Sequence, residues 1–230
     1  MNSKNLFRLL IFLILSLINI WAGHTENESL AFFSKPLLMP ALALWFYSET
    51  KNSLPPFRNL ILLALFFSWG GDTLLMFVES KGEQFFLLGL LSFLTAHVLY
   101  AVAFLKNVNL RKGFLNKNWW AAVPFIILYG GINYFLIPNV PKAMQAPVLI
   151  YGAVIMFMAI SALNRNTFVV KGSFQYVFVG ALTFMVSDMI LAFNKFDSPI
   201  PNASVLIMST YLLGQFWIAK GWSKLTVSKN

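Results

Sequence analysis

The sequence predicts an all-α protein, a polytopic transmembrane bundle of about eight helices with both termini in the cytoplasm. Three observations carry that expectation. Of 230 residues, 58% are hydrophobic and only 11% charged, whereas soluble domains are about half apolar and a quarter charged. Apolar runs of 17–22 residues recur along the whole chain, each long enough to cross a hydrocarbon layer of roughly 30 Å at 1.5 Å per residue. The basic residues fall between these runs and alternate in density from one side to the other.

The first run, 6–22, follows Lys4 and Arg8. A cleavable signal peptide is the competing interpretation, but Ile20 stands three residues before a cut after Ala22, a poor match to the small-residue cleavage pattern. The helix is therefore expected to be retained. If it were removed, seven spans would remain with the same topology. The second run, 31–48, is opened by Lys35-Pro36, proline being tolerated in a first helical turn. Pro55-Pro56 precede the third, 59–78, and Gly82 separates it from the fourth, 84–105. The fifth, 119–137, is closed by Pro138 and Pro141. The sixth is 144–163. Gly172 precedes the seventh, 174–193, and Pro199 with Pro201 precede the eighth, 204–221. Strands of a membrane barrel would need alternating segments of about ten residues, which this sequence lacks. These eight runs use up nearly the whole chain, so residues 1–230 are expected to form one transmembrane helical domain.

Orientation follows from the cations. Lys4, Arg8, Lys51, Arg58, Lys106, Arg111, Lys112, Lys117, Arg165, Lys171, Lys220, Lys224 and Lys229 fall on one side; Lys35, Lys81, Lys142 and Lys195 fall on the other. Such a bias over short loops places the richer side in the cytoplasm. The opposite face, with Glu26, Glu28, Glu79, Glu83 and Asp197, is mildly acidic. The expected location is a bacterial inner (cell) membrane. The net charge of +9 does not point to nucleic acid, because no Lys/Arg cluster is interleaved with aromatics on a polar surface. Cysteine is absent, which excludes disulfides and thiolate metal sites. With two histidines, one of them (His24) in an outer loop, a zinc hydrolase is disfavoured, and no metal or other cofactor is expected. Phosphate-binding glycine loops and a nucleophile elbow are missing as well.

What stands out is the set of polar side chains inside the spans. A carboxylate near the bilayer centre costs roughly 2.5–3.5 kcal/mol even on the most forgiving insertion scale, so it usually faces a cavity or a partner. Asp72 and Asp188 lie in the third and seventh spans, both running outward, at similar depth, about 5 Å beyond the midplane. Each has a small residue just before it, Gly71 or Ser187, and a leucine three after it, Leu75 or Leu191. Four helices apart, they suit a parallel four-plus-four repeat. Gly70, Gly71, Gly180 and Ala181 permit close helix approach, with plain packing the simpler explanation. His97 and Tyr100 share a face of the fourth span at i, i+3; a lone buried histidine is more often structural than catalytic. Lys35, near the outer end of the second span, either snorkels or meets an anion, and Lys195, two turns beyond Asp188, could do the same at the rim. Tyr151 in the sixth span, with Tyr211 and Gln215 in the eighth, are candidates for hydrogen bonds between helices.

Gly71-Asp72-Thr73-Leu74-Leu75-Met76, Ala96-His97-Val98-Leu99-Tyr100, Gly180-Ala181-Leu182-Thr183-Phe184 leading to Ser187-Asp188, and Asn194-Lys195-Phe196, in that order on these helices, resemble the YhhN-type family of membrane lysoplasmalogenases. Lys35-Pro36, Tyr211 and Gln215 are similar to its pattern too. Thr183, where an apolar residue would be expected, is a departure with no obvious consequence. The resemblance covers roughly residues 31–221 and implies an eight-helix membrane hydrolase. It would cleave the vinyl ether bond of a lysoplasmalogen to a fatty aldehyde and a glycerophospho-alcohol. That chemistry needs a carboxylic acid to protonate the β-carbon and a carboxylate to stabilise the oxocarbenium ion and orient water, roles that two aspartates in a low-dielectric cleft can divide. The catalytic residues expected on this basis are Asp72 and Asp188, acid and base unassigned, with His97 and Tyr100 orienting water or the departing oxygen. Lys35, Lys195, Tyr151, Tyr211 and Gln215 would bind substrate, and the single chain would lie between helices among Phe and Met side chains. The partners expected are a lysophospholipid substrate and membrane lipid, with homo-oligomerisation left open. Two rivals remain: a proton-coupled small-molecule or lipid transporter, since paired intramembrane carboxylates also occur in proton relays, and a structural lipid-binding protein.

Overall fold

A computed structural model describes residues 3–109 and 113–225; Arg111, Lys112 and Lys229, counted above among the cytoplasmic cations, lie outside the described residues. Among the described residues there is no β-strand. The eight long helices are α1 Ser3–His24, α2 Glu28–Glu49, α3 Arg58–Leu75, α4 Gln84–Lys106, α5 Val123–Leu136, α6 Lys142–Leu163, α7 Lys171–Phe196 and α8 Ala203–Ser223. The predicted spans agree with these to within a few residues at most ends. The third stops at Leu75 rather than at residue 78, and a separate turn of helix, Val78–Lys81, follows it. The fifth is broken at both ends into 3-10 turns, Trp119–Ala122 and Ile137–Asn139, with prolines, which lack a backbone donor, at Pro124 and Pro138.

Among the described residues, six helices are long and apolar enough to cross a membrane by length and composition: α1, α2, α4, α5 with its flanking turns, α6 and α7. The other two long helices, α3 and α8, are the ones that carry Asp72 and the Tyr211/Gln215 pair. Polar residues such as Asn59 and Asp72 in α3 and Gln215 and Lys220 in α8 lower their hydropathy. The chain is a multi-pass membrane protein.

Packing is built from helix hairpins, with α1 against α2, α3 against α4 and α7 against α8. The α7–α8 seam is the tightest. A Cβ on Gly214 would lie 2.9 Å from the Phe184 amide nitrogen and 3.0 Å from the Gly180 carbonyl, so only glycine lets the two backbones meet. Gly70 and Gly71 likewise abut Ser92 and the Phe93 ring, which favours helix packing over an open wall. In α2, Pro36 and Pro40 both lie inside the helix. Pro40 cannot donate to the carbonyl four residues back, and the indole Nε1 of Trp69 donates to that Pro36 carbonyl at 2.9 Å instead. The core gathers Leu42, Trp45, Ile61, Tyr100, Phe104, Phe184 and Trp222, while Phe7, Leu17, Ile127 and Phe135 point outward. Large apolar side chains on the outside are expected where lipid is the solvent.

Candidate active site in the bundle

Asp72 on α3 and Asp188 on α7 line the same cleft, about 680 Å³ in volume, together with Lys35, Lys195, Asn194 and Tyr211. The cleft lies between the first half of α2, the ends of α3 and α7, and the starts of α4 and α8. The two carboxyl groups are within electrostatic range of each other, and Lys35 is within range of Asp72. Asp72 is 3% exposed, and the Asp188 side chain, 11% exposed, is more open to the cleft.

Each aspartate receives a tyrosine. The Tyr211 hydroxyl of α8 donates to Asp72 Oδ2 at 2.7 Å, and the Tyr151 hydroxyl of α6 donates to Asp188 Oδ2 at 2.5 Å. Such short bonds to a carboxyl oxygen are the strong kind, and they fix where each carboxyl group points. His97 of α4, fully buried, brings Nε2 to 3.5 Å from Asp188 Oδ2, and neither of its ring nitrogens has a hydrogen-bond partner. That separation is too long for a hydrogen bond, so the ring packs beside the carboxyl group, against Phe184 and edge-on to Tyr151.

The remaining candidates fall around this centre in layers. Tyr100 does not line the cleft. Its hydroxyl donates to Gln215 Oε1 at 2.6 Å, and Gln215 Nε2 donates to Ser68 Oγ at 2.8 Å, a buried chain joining α4, α8 and α3 beneath the aspartates. Lys195 is at the mouth, ion-paired to Glu83 at 2.8 Å and lying over the Phe86 ring. Both partners of that pair are solvent-exposed enough that it is worth under about 1 kcal/mol, so the lysine is easily released. Lys35 stands where the cleft meets a second cavity of about 550 Å³, lined also by Glu26, Glu28 and Glu79. Among the described residues no three His, Asp or Glu side chains converge as metal ligands.

Residues 30–222 match the model of the YhhN family. The chain belongs to the YhhN family. Among its YhhN-like relatives, lysoplasmalogenase TMEM86A of Bos taurus is 35% identical over 195 residues, covering 79% of this chain and 74% of the relative. The human protein of the same name is 33% identical over 196 residues, with the same coverage. Human lysoplasmalogenase TMEM86B is 31% identical over 183 residues, covering 80% of this chain and 70% of the relative. No solved structure matches this YhhN chain.

Three residues of the site were not singled out as functional from the sequence. Ser68 and Ser187 are small polar residues one helical turn and one residue before the aspartates; Ser187 donates to the Ile207 carbonyl at 2.9 Å, holding α7 to α8 beside Asp188. Glu83 was read only as part of an acidic face, and its pairing with Lys195 joins residues far apart in the chain. A polar side chain one turn from an intramembrane carboxylate was the available signal for Ser68.

Proposed function

We propose that this protein is a lysoplasmalogenase-like hydrolase, cleaving the vinyl ether bond of a lysolipid by acid/base catalysis with Asp72 and Asp188. The observation that carries the proposal is that two buried carboxyl groups, from helices far apart in the chain, line one cleft in a protein whose relatives are lysoplasmalogenases. In the reaction, a protonated carboxyl group adds its proton to the β-carbon of the vinyl ether, leaving an oxocarbenium ion at the α-carbon. The second carboxylate, close by, stabilises that cation and takes a proton from the water that adds to it. The hemiacetal then breaks its bond to the glycerol oxygen, which leaves with a proton as the alcohol, and the other fragment departs as the aldehyde. One water is consumed and both carboxyl groups are restored.

Tyr151 and Tyr211 hold the two carboxyl groups in place, and His97 walls off Asp188 from the side. Tyr100 and Gln215 act one layer deeper, bracing α4 against α8. Lys35, at the junction of the two cavities, meets the phosphate, with Lys195 available once it leaves Glu83. The protein resides in a bacterial cell membrane as one domain, with both termini in the cytoplasm, a topology supported by the distribution of lysine and arginine. The cleft then opens toward the outer face. The relatives named above are hydrolases by name and none is a carrier.

The test is mass spectrometry of products after the detergent-solubilised protein meets a panel of lysolipids with vinyl ether, alkyl ether and ester linkages. Fatty aldehyde from the vinyl ether, without any gradient or sealed vesicle, is the expected result. No release from any member of the panel, combined with uptake in sealed vesicles, would replace the enzyme with a transporter.

A further inference from the structure

We infer that the hydrocarbon chain of the substrate passes Tyr151 and lies in a leucine-lined groove between α4 and α6 that opens to the surrounding lipid. This deepens the lysolipid reading above and rests on it. On α4, Leu87, Leu91 and Leu94 recur at intervals of four and three residues and so share one helix face. Opposite them stand Pro147 and Ile150 of α6, and together they enclose about 240 Å³ of apolar space. Leu91 and Ile150 are each more than half exposed at its outer lip, where lipid would stand.

A small void lies between the groove and the aspartate cleft and shares walls with both. This narrow passage, about 30 Å³, shares Leu90 and Tyr151 with the groove, and Phe86, Asp188 and Leu191 with the cleft. Tyr151 stands between the two, its ring in the apolar passage and its hydroxyl on Asp188. At about 30 Å³ the passage is too small for a methylene chain while that ring stays put, so the chain enters as Tyr151 turns aside. That motion releases Asp188 from its hydrogen bond until the ring returns.

The chemistry of a lysolipid fits this division. Its phosphate needs the polar cleft, its one chain needs an apolar surface, and the bond to be cut lies at their boundary. Asp188 stands at that boundary, lining both the cleft and the passage. The rival route, a pocket among α5, α6 and α7 near Met156, Met185 and Met189, also reaches Asp188 and at about 60 Å³ is roomier than the passage. The cleft aside, however, it shares no wall with a volume comparable to the groove of about 240 Å³ except through Tyr151. Its wall is tied down by the Tyr129 hydroxyl, which donates to the Leu149 carbonyl at 3.0 Å. On this path the chain passes Phe86 and Phe196 and then runs among leucines, whereas the sequence alone suggests Phe and Met side chains.

The test uses the full-length protein in lipid nanodiscs and a lysophospholipid carrying a diazirine midway along its chain. After illumination, peptide mapping is expected to find adducts on α4 between residues 87 and 94 and on α6 between 147 and 151. Adducts confined to α5 and α7 around Met185 and Met189 would overturn the inference, whether or not the protein hydrolyses anything. A second readout compares octenyl and octadecenyl vinyl ether lysolipids in Leu91→Trp and Ile150→Trp proteins. The ratio of kcat/KM for the long chain to that for the short one should fall about tenfold. An unchanged ratio in active variants contradicts the groove while leaving the hydrolase reading intact, and absence of aldehyde from the unaltered protein contradicts the hydrolase reading alone.

Discussion

The two ends of the bundle each bury a charged side chain, and they treat it in opposite ways. At the open end Asp72, held by Tyr211, faces a cleft of about 680 Å³ that it shares with Asp188. At the closed end Arg165, which follows α6 and is fully buried, lies 4.7 Å from the centre of the Trp222 ring and 5.7 Å from that of Phe104. Its Nε donates to Asn107 at 3.2 Å and its Nη2 to Ser173 at 2.9 Å. Burial pushes the Arg165 pKa down, and aromatic faces and hydrogen bonds offset that cost. The lesson is that burial of a charge does not by itself mark a functional site. A charge sealed among partners from α4, α7 and α8 clasps helices together; a charge that borders empty volume is available for chemistry.

That contrast is open to direct tests. The largest effect is expected at the open end. Asp72→Asn and Asp188→Asn, which keep shape and remove acid/base capacity, should each lower aldehyde release by at least about a hundredfold while melting as the unaltered protein does in detergent. Full turnover in either variant removes that residue from the chemistry. Next comes the closed end. Arg165→Met orphans Asn107 and Ser173 and removes two cation–π contacts, so it should cost on the order of 2–4 kcal/mol of stability, read as a lowered Tm, while turnover per folded molecule is kept. A variant that melted normally but lost activity would move Arg165 into the machinery and erase the contrast.

Gly214→Ala should also act on stability, by roughly 1–3 kcal/mol, because its methyl group would press on the Phe184 and Gly180 backbone. Thermal melts read it, and an unchanged Tm would mean that the α7–α8 seam relaxes freely. The smallest effect expected is in kcat. Tyr211→Phe removes the hydrogen bond to Asp72 and should slow turnover about tenfold without changing the melt. If Tyr211→Phe instead destabilised the protein with kcat intact, the tyrosine would belong with Arg165 as a helix clasp.

The sequence made the helices legible because hydrocarbon thickness imposes a length, and prolines and glycines mark the turns. It also exposed Asp72 and Asp188, since carboxylates are rare among apolar neighbours. Depth could be counted along each helix, so their similar height was accessible, but lateral position depends on which helices are neighbours. For that reason the sequence offers Tyr211 and Tyr151 as candidates for hydrogen bonds between helices and for binding substrate, without their aspartate partners. Arg165 was counted as one more loop cation, because nothing local shows that Phe104 and Trp222 close over it. Tyr100 looked like a companion of His97 through i, i+3 spacing, yet its hydroxyl turns toward Gln215. A shared helix face limits where a side chain can point without choosing its partner.

The central claim is that Asp72 and Asp188 act together on one substrate molecule, and a double-mutant cycle on aldehyde release tests it most directly. Asp72→Asn, Asp188→Asn and the doubly substituted protein would be compared at equal folded concentration. If the two groups serve one step, the double variant should be about as slow as the slower single variant, since either loss already disables the unit. Losses that multiply would mean that the two carboxyl groups act independently, and the shared-cleft mechanism would fail.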